Sequence, residues 1–322
     1  MEQPNVLAQA KASLFAPGPV AEFNPDHFVN RNEEQALLER MVLPGGGARI
    51  LAIEDVAECG KSMLLAQFEH NCRWRQPGSI AAARIPLDAV DVVDEFGIAH
   101  RIHLALQGQL QLETYEKSRL ALENRDFGFF SMGASSFHAQ IDLRGASVGG
   151  NAIISAFRFE NSSGPGWNPE KEDWARRACV TAMSKDLRAH ASQSPLVLMF
   201  DSFEKGSATA REFVMQVFLG MMRSGNPRAE NLMLVFAGQS VPNLAVYFPQ
   251  AHAQKVHTLP PMRKFTLEEL REAFKKLELG SLDDNDIKFV YSNLVSGVWA
   301  LGTSIGMGRL FNSLRVGNQG RQ

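Results

Sequence analysis

Between Glu54 and Ser62 the chain reads EDVAECGKS, and its last three residues, Gly60, Lys61 and Ser62, stand in an order suited to phosphate chemistry. A glycine turn opening into a helix aims backbone N–H groups at an anion. A lysine there reaches the terminal phosphates, and the hydroxyl holds Mg²⁺. Cys59, Gly60, Lys61, Ser62 and Met63 are therefore the candidate contacts to a phosphorylated ligand. The earlier part of the loop departs from that chemistry. By the eight-residue spacing Asp55 replaces the first glycine, and Glu58 stands where a further glycine is common. A β-carbon at a tight turn costs about 1–2 kcal/mol. A carboxylate about 4 Å from a phosphate charge costs about 1 kcal/mol in water and about 4 kcal/mol at an effective dielectric of 20. The loop is expected to hold polyphosphate weakly. Cys59 reads as a packing residue with no catalytic role.

A second acidic signal follows an apolar run, PLVLMFDSFEK. Asp201 ends that run, where it would hold the hydration shell of Mg²⁺, and Glu204, three residues on, would orient or deprotonate a water. The competing reading makes Asp201 a turn cap and Glu204 a solvated acid. A third signal is NLMLVFAG, which delivers Gln239 and Ser240 just past Gly238. The Gly-Gln-Ser-Val-Pro around Ser240 lacks the Gly-x-Ser-x-Gly of a nucleophile elbow. His100 and His103, three apart, could share a helix face, but no carboxylate or cysteine nearby completes a zinc set, so they read as structural. Arg223 and Arg228 flank a turn.

These residues need a scaffold that brings them together. RILAIE, SIAAARIPLD, SPLVLMFD, NLMLVFAG and QKVHTLPPM read as buried strands, separated by segments with helical spacing. The alternation predicts a parallel α/β sheet, whose ligands lie beyond the carboxyl ends of the strands. Glu54 to Ser62, Asp201 to Glu204 and Gly238 to Ser240 then share one edge. Residues 1–27, interrupted by Pro and Gly, read as an arm, and 28–262 as the α/β core. Within the core, 112–169 read as a Gly/Phe-rich β-hairpin insertion. Its Phe127, Phe129, Phe130 and Phe137 form either a satellite core or a docking surface. Residues 263–322 read as a helical lid, with Thr266 capping its first helix ahead of Glu268 and Glu269.

Composition narrows the function classes. In 322 residues, 33 basic side chains face 35 acidic ones, for a formal charge of -2. No global attraction to nucleic acid or anionic membrane follows from that balance. Three separated cysteines without a CxxC argue against disulfide and zinc frameworks. With no secretory pattern at the start and no apolar run near 20 residues, a cytoplasmic location is expected.

With these elements placed, the sequence resembles the STAND-type, AAA+-related P-loop NTPases, from about Phe28 to Arg315. FVNRNEEQALLERM resembles their lead-in segment, with Arg31 and Glu34 at the matching places, and the resemblance puts this segment beside an adenine. VLMFDSFE is similar to their Walker B strand, NLMLVFAGQSVP to their sensor strand, and FTLEELREAF with the helices after it to their lid. The resemblance implies ATP or ADP with Mg²⁺ as the ligand. It makes Arg31 and Gln239 cofactor contacts, and Arg223 or Arg228 a finger toward a neighbouring subunit. Gln239 stands where such strands often carry arginine, and it brings no full charge to a γ-phosphate. Trp299 replaces the proline of a Gly-x-Pro lid contact, with Gly297 retained.

The combined expectation is a regulatory module that binds ATP or ADP weakly, hydrolyses little, and acts as a switch or scaffold for a protein partner. The alternative is a Mg²⁺-dependent ATPase switched on by homo-oligomerisation, of the kind found in bacterial conflict systems. A third reading places a partner-binding site in the 112–169 segment.

Overall fold

The computed structural model describes residues 25, 28, 31–43, 49–56, 60–74, 80–89, 91, 92, 94–126, 128–130, 169–223, 229–247, 255–262, 266–276 and 284–292. Among them five strands form one sheet: β1 (Ile50–Glu54), β2 (Ala81–Pro86), β3 (Leu196–Asp201), β4 (Leu232–Gly238) and β5 (Val256–Thr258). Their order is β2-β3-β4-β1-β5, and every pairing is parallel. A parallel sheet is covered on both faces, so its central strands must be apolar throughout. LVLMF and LMLVFAG meet that demand, and every residue of β3 and β4 is buried, including Asp201 at the end of β3.

Alternation along the strands divides the core in two. Leu51, Ile53, Ala82, Val197, Met199 and Val235 face α1 (Asn32–Val42) and α2 (Lys61–Trp74), which contribute Leu38, Met41, Leu64, Leu65 and Phe68. Met63 is 43% exposed, whereas Leu64 and Leu65 are fully buried. The two helices are also joined by amides. Gln35 Nε2 donates to Leu64 O at 3.3 Å, and Asn71 Nδ2 donates to Gln35 Oε1 at 3.1 Å.

The opposite face carries Ala83, Ile85, Leu198, Phe200, Leu234 and Phe236. It is covered by α3 (Glu95–Leu106), α4 (Glu113–Glu123), α5 (Pro169–Ala191) and α6 (Ala208–Phe213). After α6 the backbone widens into a π-helical turn, Val214–Phe218, before α7 (Leu219–Arg223). A π turn stacks residues five apart. Phe213 and Phe218 accordingly meet edge-on at 5.7 Å, and Phe218 reaches Phe200 at 5.3 Å.

The 112–169 segment differs from expectation at its start. Residues 113–123 are the helix α4, with Tyr115, Ser118 and Ala121 buried at helical spacing against α5. The Gly/Ser-rich composition begins only after Phe130. Phe130 is buried and meets Trp174 of α5 at 5.5 Å, which makes it core. The expected hairpin around 141–159 lies outside the described residues, as do Phe127 and Phe137.

Beyond β5 the chain becomes helical, with α8 (Leu267–Lys276) and α9 (Asp284–Val290). Thr266 opens α8 with a reciprocal capping box: its N–H donates to Glu269 Oε2 at 2.7 Å, and Glu269 N–H donates to Thr266 Oγ1 at 3.3 Å. Arg271 joins the two helices through Asp284 at 2.6 Å. Gly297 and Trp299, the expected lid contact, lie outside the described residues.

Candidate phosphate-binding site

The loop after β1 starts at Asp55 and closes at Gly60. Gly60 holds φ at +99°, and a β-carbon built there would meet nothing within 4 Å. The glycine is therefore required by backbone conformation, not by space. Gly60 O accepts the first helical bond of α2, from Leu64 N–H at 2.9 Å. Residues 57–59, including Glu58 and Cys59, lie outside the described set.

Lys61 is buried, and its Nζ donates to Asp55 O at 2.7 Å and Val56 O at 2.6 Å. The ammonium thus spans the mouth of its own loop. The Asp55 carboxylate has two N–H donors. Oδ1 accepts from Val56 N–H and Oδ2 from Met262 N–H, both at 2.7 Å. Asp55 was expected to act as a bare negative charge. Instead it straps the loop to the segment that leads from β5 into the helical part. Any arriving anion would compete with two internal arrangements, the Lys61 carbonyl bonds and the Asp55 hold on Val56 N–H.

On the α2 face of the sheet, the structure brings Ser62 and Asp201 together. Asp201 is 4% exposed. Its Oδ1 accepts from Ser202 N–H at 2.9 Å. Burial pushes the Asp201 carboxyl above its ordinary value, against the nearby Ser62 side chain and the positive charge of Arg84, which pull it down. The sequence alone does not single out Arg84. Its Nη1 lies 3.5 Å from Asp201 Oδ2 and donates to Ser62 O at 3.2 Å, while its Nε is 4.0 Å from Glu69 Oε2. The available signal was a lone arginine in an otherwise apolar strand. A hydroxyl and a carboxylate are suitable donors for a hydrated Mg²⁺. In this chain, however, the same carboxylate is shared with a guanidinium.

On the other side of β4, Glu204 and Gln239 meet through the backbone: Glu204 Oε2 accepts from Gln239 N–H at 2.9 Å. Glu54, on the edge expected from the sequence, has a more specific part: its Oε2 accepts from Val241 N–H at 2.8 Å. Two carboxylates therefore hold the turn after β4. A cleft of about 460 Å³ opens beside Glu204, lined by Phe203, Arg211, Met215, Gln216, Ser240 and Pro242. Neither Lys61 nor Asp201 lines it.

The remaining candidates are dispersed. Arg31 is buried before α1 in a left-handed conformation, φ 69°, with Nη1 3.5 Å from Glu34 Oε1. Met63 is exposed beside Ser62. His103 is buried, its ring 5.2 Å from that of Tyr115, and burial pulls its imidazole below the usual range. No group of three His, Cys, Asp or Glu side chains among the described residues is arranged to hold a metal, and none of the described helices is long and apolar enough to cross a membrane.

No family model and no curated protein matches the chain. Solved structures do. Cdc6p from Pyrobaculum aerophilum matches with a TM-score of 0.50 at 10% identity, over 96% of this chain and 66% of that one. A Walker-type ATPase of Pyrococcus abyssi gives 0.47 at 13% identity, over 96% and 73%. The ORC2 protein of Aeropyrum pernix, solved in ADPNP–ADP complexes, gives 0.47 at 10%, over 94% and 64%. The chain thus spans between about two thirds and three quarters of these proteins. Together with the parallel five-stranded sheet, the likeness to Cdc6p shows the fold alone: a parallel α/β fold of the kind that protein has.

Proposed function

We propose that the protein is a STAND-type regulatory module that binds ATP or ADP weakly at Gly60, Lys61 and Ser62. It hydrolyses the nucleotide little and acts as a switch or scaffold for a protein partner. The reading is carried by the double engagement of Asp55, whose carbonyl accepts from Lys61 while its carboxylate accepts from Met262 N–H. A phosphate that draws Lys61 inward disturbs the residue that holds the chain running toward α8. Occupancy of the loop and position of the helical segment are then coupled, as a switch requires. Weak binding follows from the competing bonds already made by Lys61 and by Val56 N–H. Low turnover follows from Glu204, one of whose carboxylate oxygens is committed to Gln239 N–H, and from the absence of an arginine at position 239.

Isothermal titration with ATP and with ADP, beside a phosphate-release assay, tests this. The expected result is an affinity in the range of tens of micromolar or weaker, roughly −6 kcal/mol of binding free energy, lost in Lys61→Ala, with negligible release. Tight binding with steady turnover, both abolished by Lys61→Ala, would overturn it.

A further inference from the structure

The register of the sheet sets Arg84 of β2 opposite Met199 and Pro86 opposite Asp201. Arg84 therefore shares a face with Asp201, two residues further along β3. Its guanidinium bridges the helix start and the strand end: Nη1 lies 3.5 Å from Asp201 Oδ2 and donates to Ser62 O at 3.2 Å. Glu69 holds the other edge of the group at 4.0 Å, and the side chain remains 31% exposed.

A divalent cation at this point would need the lone pairs of Ser62 and Asp201. Asp201 Oδ2 already faces a cation, and the same guanidinium also donates to Ser62 O. Mg²⁺ also requires near-ideal octahedral oxygen ligation at close range, and a guanidinium within hydrogen-bonding distance of its ligands repels it. A guanidinium is itself suited to phosphate, because its fixed fork of N–H donors matches two phosphate oxygens. We propose, resting on the nucleotide reading above, that Arg84 supplies the positive charge beside Ser62 and Asp201, so that the chain takes a nucleoside di- or triphosphate without a divalent cation. Lys61 and Arg84 then face the polyphosphate from two sides of the helix start.

The test is a titration of the full chain with a fluorescent ADP analogue, in excess Mg²⁺ and in excess EDTA. The wild-type affinities in the two buffers are expected to agree within about threefold. Arg84→Ala is expected to weaken binding at least about tenfold in EDTA, with part of the loss recovered by Mg²⁺ once the repelling charge is gone. A wild-type affinity that falls about tenfold or more on chelation would overturn the proposal while leaving the nucleotide reading intact. So would an Arg84→Ala variant that binds in EDTA as well as the wild type does. Absence of binding in both buffers would end the nucleotide reading itself, and this inference with it. The wild-type comparison stands even where the variant fails to fold.

Discussion

Asp55→Ala separates the strap from the loop. In the wild type the Met262 N–H, partly buried, donates to Asp55 Oδ2 at 2.7 Å, and the exposed Val56 N–H donates to Oδ1 at the same distance. A hydrogen bond to a charged acceptor contributes roughly 1.5–3 kcal/mol, and a partly buried donor left without an acceptor forfeits most of that. The substitution should therefore release the Met262 amide by about the same amount, and its hydrogen exchange should accelerate about 10- to 100-fold. Asp55→Asn retains an acceptor without the charge and should fall between the two, because a neutral bond contributes only about 0.5–1.5 kcal/mol. The loop should respond in the opposite sense. Removing the carboxylate frees Val56 N–H and takes a negative charge from beside the phosphates, so ADP affinity should rise about tenfold. Amide exchange resolved by mass spectrometry or NMR, paired with an ADP titration, reads both arms. Unchanged exchange at Met262 in Asp55→Ala would refute the strap. Faster exchange at Met262 without tighter ADP binding would refute the competition between Asp55 and phosphate.

Two further outcomes are expected. Burial raises the Asp201 carboxyl above 3.8 in the folded chain. Below that value both states are protonated and the group is neutral toward folding. As pH climbs from 3.8 through the raised value the unfolded chain releases its proton first, so the group subtracts stability, fully so once above it. Asp201→Asn should therefore gain on the wild type in urea midpoint between about pH 4 and about pH 7, and a gap that stays constant or narrows would refute this. A β-carbon at Gly238 would lie 2.4 Å from Glu204 Oε2. Gly238→Ala should displace that carboxylate from Gln239 N–H and cost about 1–3 kcal/mol. In a Glu204→Ala background the loss should shrink by about 1 kcal/mol or more, and strictly additive denaturation energies would show that the two positions are not coupled.

What the sequence discloses about this site depends on how far apart the partners lie in the chain. Gly60, Lys61 and Ser62 are contiguous, and the local chemistry of a strand, a turn and a helix start is written in their order. The strands are legible because a buried parallel sheet admits almost nothing but apolar residues, and their carboxyl ends then fix where Asp201 and Glu204 must stand. The contacts that decide what the site does span 117 residues for Arg84 and Asp201, 187 for Glu54 and Val241, and 207 for Asp55 and Met262. Each depends on strand order and register, and a slip of one residue would turn Arg84 to the opposite face of the sheet. Sequence reasoning could see that Asp55 is an acid in a place made for glycine, and could weigh its repulsion from phosphate. It could not see that the backbone beyond β5 returns to supply an N–H donor. The charge at position 55 is thus answered by a partner within the fold, and the same bond that reduces its repulsion ties the loop to the helices that follow. A neutral glycine at that position would leave the loop better shaped for phosphate and disconnected from Met262, so the departure from glycine is what gives the loop a mechanical link to the rest of the chain.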